Sequence, residues 1–115
     1  MKIGHVIVPV ADLETATAFY AERLGLQLRF RDGERYAAVT DGSVTLGLAA
    51  AVEQPVPGEV ALSFQVDSLA DFLADWQGAE GADGEVSIVE GGHERRATLR
   101  DPFDNVVVVY ERLPG

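Results

Sequence analysis

The strongest constraint on this chain is that it carries one pattern twice. His5-Val6-Ile7-Val8-Pro9-Val10-Ala11-Asp12-Leu13 aligns on Ala61-Leu62-Ser63-Phe64-Gln65-Val66-Asp67-Ser68-Leu69, and the same register brings Tyr20 onto Trp76 and Gly25 onto Gly81. Each copy is an apolar run, an acidic or hydroxyl break, a segment with apolar residues at helical spacing, and then a glycine. A supersecondary unit written twice defines the fold before any single residue does. The copies differ at one telling place. His5, the residue with the most evident chemistry, has Ala61 as its counterpart.

A chain of 115 residues is one domain, here residues 1–115, with enough length for a real core. Hydrophobic residues make up 47% of it, which excludes a disordered chain. No apolar run approaches the roughly 20 residues of a membrane helix. The N-terminus enters a strand without a basic-then-apolar leader, so the expectation is no signal peptide and a cytoplasmic protein. There are no cysteines, which excludes disulfides, thiolate catalysis and Cys-ligated metal sites. The net charge of −10, from 9 basic and 19 acidic residues, repels nucleic acid and anionic membranes. It either favours a cationic ligand or only keeps the protein soluble.

Module 1, residues 1–49, reads as a strand from Ile3 to Val10, a helix capped by Asp12 and stopped at Gly25, and three further strands. In the first of these Leu26, Leu28 and Phe30 alternate onto one face, with Gln27 and Arg29 on the other. Asp32-Gly33 and Asp41-Gly42 are hairpin signals flanking a strand from Tyr36 to Thr40, and Val44 to Ala49 follows. Residues 50–58, with Pro55, Pro57 and Gly58, form a linker-like segment. Module 2, residues 59–115, repeats the scheme. Val60 to Val66 is a strand and Ser68 caps a helix with Leu69, Phe72, Leu73 and Trp76. A connection with Gly78, Gly81 and Gly84 leads to strands at Val86 to Val89, Ala97 to Arg100 and Val106 to Tyr110, with turns at Gly91-Gly92 and Asp101-Pro102-Phe103-Asp104-Asn105.

Two β-α-β-β-β modules make an α+β fold of two mixed four-stranded sheets, each with a helix on one face. The helix-free faces need partners, and pairing the modules, within one chain or across a dimer, produces a cup.

At these residues the chain resembles the vicinal oxygen chelate superfamily, which holds glyoxalase I, extradiol dioxygenases, fosfomycin-resistance enzymes and bleomycin-resistance proteins. The resemblance is carried by Gly4-His5-Val6, by Phe19-Tyr20 before Leu24-Gly25-Leu26, by Val66-Asp67-Ser68-Leu69, and by the Asp101–Asn105 turn. That turn is similar to the family's Asp-Pro-x-Gly-Asn, with Asp104 in place of glycine; aspartate tolerates a left-handed backbone better than most residues. The resemblance implies a divalent metal held from four strand positions. The first falls on His5, a competent ligand. The second falls on Gly47, or on Thr45 one pleat away, the third on Ala61 and the fourth on Val108. None of these last is a carboxylate or imidazole. Glu111 lies near the fourth position, but its parity turns it to the other face. One histidine does not hold a catalytic metal, so the expectation is no metal, no cofactor and a character closest to the metal-free bleomycin-resistance-like binding proteins.

Strand parity lines the cup with small apolar residues and a few polar ones. His5, Thr45, Gly47, Ser63, Gln65, Arg96, Val108 and Tyr110 face inward. Leu62, Phe64 and Val66 go to the helix. Phe30 and Tyr36 are core residues or aromatic walls for a planar ligand, and Phe103 gates the mouth. His5 either contacts the ligand or is a vestige with a structural hydrogen bond. Trp76 reads as helix-to-sheet core or as a residue at a dimer edge, His93 as surface. The pairs Arg29/Arg31 and Arg95/Arg96 read as solvated, with at least one arginine facing the cup.

Two functions follow. The first is a homodimeric binding protein that sequesters a small organic ligand, either a bleomycin-like cationic drug or an aromatic natural product, as antibiotic resistance or self-protection without catalysis. The second is a diverged glyoxalase- or dioxygenase-type lyase or isomerase with a non-standard or absent metal site. No nucleophile–base pair supports the second, and enzymatic activity is left open.

Overall fold

β-Branched and apolar residues open the chain and form strand β1, Lys2–Pro9. A computed structural model describes residues 1–77, 86–91 and 93–114. Gly78, Gly81 and Gly84 of the second helix–strand connection, and Gly92 of the Gly91-Gly92 turn, lie outside the described residues. The chain divides into two units, His5–Ala61 on the one hand and Leu62–Gly115 with Met1–Gly4 on the other.

In the first unit β1 is followed by helix α1, Leu13–Thr17, and strands β2, Gln27–Asp32, β3, Tyr36–Thr40, and β4, Thr45–Ala49. The strand order is β2-β3-β4-β1. The two hairpins are antiparallel, and β1 runs parallel to β4 with Ile7 opposite Gly47. Asp12 stands at the helix N-cap in extended conformation, and its carbonyl accepts the Ala16 N–H at 3.0 Å. The expected single helix to Leu24 is not continuous. After Thr17 the coil widens into a π-helical stretch, Ala18–Arg23, in which the Leu24 N–H donates to the Phe19 carbonyl five residues back at 3.0 Å. The Thr17 hydroxyl donates to the carbonyls of Leu13 and Glu14, each at 3.0 Å. Such back-bonding draws on the acceptors of the α ladder just where the widening begins. Gly25 ends the segment at φ +80°, as a helix stop requires.

Leu13 and Ala16 of α1 pack on Ala37 and Val39 of β3 and Leu48 of β4. Burying each of the large side chains contributes roughly 1.5–3 kcal/mol. One expectation for β2 fails here. Leu28 lies opposite Val39 but Phe30 lies opposite Ala38, with a bulge between them at Arg29. The extra residue shifts the alternation, so Leu28 falls on the helix side and Phe30 on the helix-free side.

Residues 50–58 are tied to the first unit. The Ala50 N–H donates to the Arg35 carbonyl at 2.9 Å, a 3₁₀ turn forms at Ala51–Glu53, and the Gln54 amide donates to the Ala49 carbonyl at 2.9 Å.

In the second unit strand β5, Ala61–Gln65, leads to helix α2, Leu69–Gln77, and strands β6, Ser87–Glu90, β7, Glu94–Arg100, and β8, Val106–Arg112, in the order β5-β8-β7-β6. Leu69, Ala97, Leu99 and Val109 form the core, with Val66, Phe72, Leu73 and Trp76 packed on it. Trp76 is thus helix-to-sheet core, stacked on Phe72 at 6.1 Å. The expectation that Leu62 goes under the helix fails: it is 40% exposed. The helix rests on β7 and β8, and Val66 is the residue of the β5 segment that joins its core. The turn after β7 keeps its expected form. Asp104 adopts φ +69°, and the Asp101 carboxylate accepts the backbone N–H of Phe103 at 2.8 Å and of Asn105 at 2.9 Å.

Candidate functional site

The helix occupies one face of each sheet, so chemistry toward a ligand falls on the other. In the first unit, cross-strand partners define that face row by row. Thr45 is opposite Thr40, Gly47 is opposite both Ala38 and Ile7, and Ala49 is opposite both Tyr36 and Pro9. Opposed residues share a face, and alternation adds His5, which is half-buried. Through the bulge, Phe30 joins the Ala38 row.

The floor of this face is small and apolar: Ile7, Ala38 and Ala49 are buried. Over it stands an aromatic pair. The rings of Phe30 and Tyr36 stack at 5.9 Å with 29° between their planes, and Phe30 is 54% exposed. Tyr36 reaches across Gly47 so closely that a Cβ on Gly47 would collide with its hydroxyl and stand 2.7 Å from Cζ. At the far end the Arg29 guanidinium donates to Thr45 Oγ1 at 3.3 Å. Arg29 is exposed, as expected, and lies on this face. Alternation from Leu26 puts Phe30 on the helix side with Leu28, and the bulge, which leaves no mark in the sequence, turns it to this face, where alternation already put Arg29.

In the second unit the helix-free rows are Thr98 with Ser87 and Val108, Arg96 with Val89 and Tyr110, and Arg100 with Val106. Arg96, Val108 and Tyr110 thus share a face as parity required, and Ser63 and Gln65 alternate with Leu62 and Phe64 on β5. Ser63 is buried and Gln65 half-buried. Arg96 has Glu94 at 3.6 Å. Tyr110 packs against the backbone at Gly4, its Cε1 3.1 Å from the place of a Cβ, and burial pushes its phenol pKa up. Phe103 does not gather with these residues: it is 85% exposed in its turn, and its backbone N–H is held by Asp101.

The positions that the resemblance assigns to a metal can be tested residue by residue. Gly47 has no side chain, and the volume of one is filled by Tyr36. Ala61 and Val108 are buried and apolar. Glu111, near the fourth position in the sequence, turns to the helix side, where its Oε1 accepts the Leu69 N–H at 2.8 Å and caps α2. Among the described residues no three His, Asp or Glu side chains gather as a metal set. The residues present at these positions do not fit a divalent metal.

A β-α-β-β-β unit with an open aromatic-walled face defines a class of fold, and the family follows directly. Residues 2–109 match the model of the "Glyoxalase/Bleomycin resistance protein/Dioxygenase superfamily", and the chain belongs to that superfamily. An uncharacterized protein of Mycolicibacterium smegmatis is 38% identical over 97% of this chain and 95% of its own. The structure is similar to a glyoxalase/bleomycin resistance protein/dioxygenase superfamily member from Vibrio splendidus 12B01, with TM-score 0.74 and 11% identity over 93% of this chain and 96% of that one. It is also similar to the 2,3-dioxygenase LapB from Pseudomonas sp. KL28, with TM-score 0.69 and 20% identity over 96% of this chain and 40% of that one. These likenesses show the fold. No helix among the described residues is long and apolar enough to cross a membrane.

Proposed function

We propose that the protein binds a small organic ligand with an aromatic part and performs no chemistry on it, as a sequestering or protective protein. The observation that carries this reading is the Phe30–Tyr36 pair above a buried floor of Ile7, Ala38 and Ala49. Small apolar residues with a few polar groups suit ligand binding, and an exposed aromatic face stacks on planar molecules. Tyr36 over Gly47 supports the absence of a chelate for the same reason it supports binding: the aromatic ring fills the volume that a metal-binding carboxylate would need. Bleomycin-type drugs and aromatic natural products are the two ligand groups to examine.

The test is a titration of the full chain, followed by two-dimensional NMR, with a bleomycin and a panel of polycyclic aromatic drugs. The expected result is saturable movement of the Phe30, Tyr36, Ala38 and Gly47 signals by at least one of them. Silence of these signals across the panel would overturn the reading.

A further inference from the structure

The charge of the ligand is decided at contact range. The net charge of −10 attracts cations, but such a field is screened over about 8–10 Å at physiological salt. The arginines of the first unit's sheet act at shorter distance. Arg31 lies on the helix side and meets Glu14 at 3.2 Å and Glu34 at 3.1 Å. Arg35 meets Glu53 at 2.6 Å. Arg29 differs: the partner it meets on the helix-free face is the neutral hydroxyl of Thr45. A hydroxyl does not neutralise a guanidinium, whose five N–H groups form a fork suited to a carboxylate.

Thr45 and Gly47 are two residues apart on β4, or about 7 Å along a strand, and Tyr36 covers Gly47. The cation and the aromatic pair therefore lie within the length of one small molecule. Asp32, opposite Tyr36, stands at the other end of the same face. The apolar face thus carries opposite charges at its two ends, a guanidinium by Thr45 and a carboxylate opposite Tyr36.

We propose that the ligand is a planar aromatic molecule bearing an anionic oxygen group, its ring on Phe30 and its carboxylate or phenolate on Arg29. This rests on the reading of the face as a binding face. It sets the contact chemistry of Arg29 against the long-range field of the whole chain.

Three probes of one shape separate the two claims: naphthoate, naphthalenemethanol and naphthylmethylammonium, each titrated into the full chain by NMR. Naphthoate is expected to bind about fivefold more tightly than the ammonium probe. Arg29→Gln is expected to abolish that preference and Arg29→Lys, which keeps the charge, to retain it. Phe30→Ala is expected to weaken all three. An ammonium probe that binds as tightly as naphthoate, or a preference that survives Arg29→Gln, would overturn the proposal while leaving the binding face intact. If none of the probes moves the β2–β4 signals, the proposal falls, and the binding reading is decided by the drug panel.

Discussion

Tyr36 lies across Gly47, its Cζ 2.7 Å from where a Cβ on that glycine would stand. The two residues face each other diagonally on neighbouring strands, and each accounts for the other. Gly47 gives the ring room to lie flat against the sheet beside Phe30, and the ring occupies the space of any side chain at 47. Gly47→Ala is expected to cost about 1–3 kcal/mol by forcing the ring away. Tyr36→Ala in the same chain removes the collision, so the double variant is expected to lose less than the two single losses combined. Denaturant unfolding of the four chains of the cycle measures this, and simple additivity would count against it.

Glu111 serves the helix of the second unit. Its carboxylate accepts the first N–H of α2 at 2.8 Å, where a negative charge also meets the positive end of the helix. Glu111→Ala is expected to lower stability by about 1–2 kcal/mol, and Glu111→Gln, which retains an acceptor, by less. Thermal unfolding compares the two. A Glu111→Ala chain as stable as its parent would remove the capping role.

The Asp101–Asn105 turn gives a prediction for acid. The Asn105 side-chain amide, together with the backbone N–H groups of Asn105 and Phe103, holds the Asp101 pKa below its ordinary value. A carboxylate whose folded pKa is depressed contributes stability above its unfolded value, about 3.9, and loses it as pH falls through the folded one. The Phe103 and Asn105 amide signals are expected to titrate together at low pH, and Asp101→Asn to abolish that titration. In the same turn Asp104 sits at φ +69°. Asp104→Gly is expected to raise stability by about 0.5–1 kcal/mol through relief of that conformation, as chemical denaturation would show.

Tyr110 gives the prediction for base. Burial raises its phenol pKa, so the fold favours the neutral form. The contribution is complete below the unfolded value near 10 and is lost as pH rises through the higher folded value. Stability is expected to fall with rising pH in that range, and Tyr110→Phe to flatten the fall. Unfolding curves followed alongside phenolate absorbance test this.

The repeat made most of the fold legible. Helix and strand faces in both units follow from alternation and helical spacing, and the parity of Glu111 put it on the correct side. Asp104 was readable because aspartate is among the few residues at ease with positive φ. The failures are all local. The π-helical turn after Thr17 depends on which carbonyls a hydroxyl takes, and the bulge at Arg29 on one residue that is out of step. A single unpaired residue reverses every later assignment in its strand, and this is why Phe30 reached the candidate site from a face that alternation did not foresee. Leu62 failed differently: its apolar character is plain, but α2 settles on β7 and β8.

This member of the superfamily has kept the chelate fold without a metal donor at Gly47, Ala61 or Val108. The most direct measurement is the metal content of protein purified without a chelator. With Tyr36 over Gly47 and with Ala61 and Val108 buried and apolar, zinc, nickel, iron and manganese are each expected far below one per chain. About one equivalent of any of them, retained through gel filtration, would contradict the account.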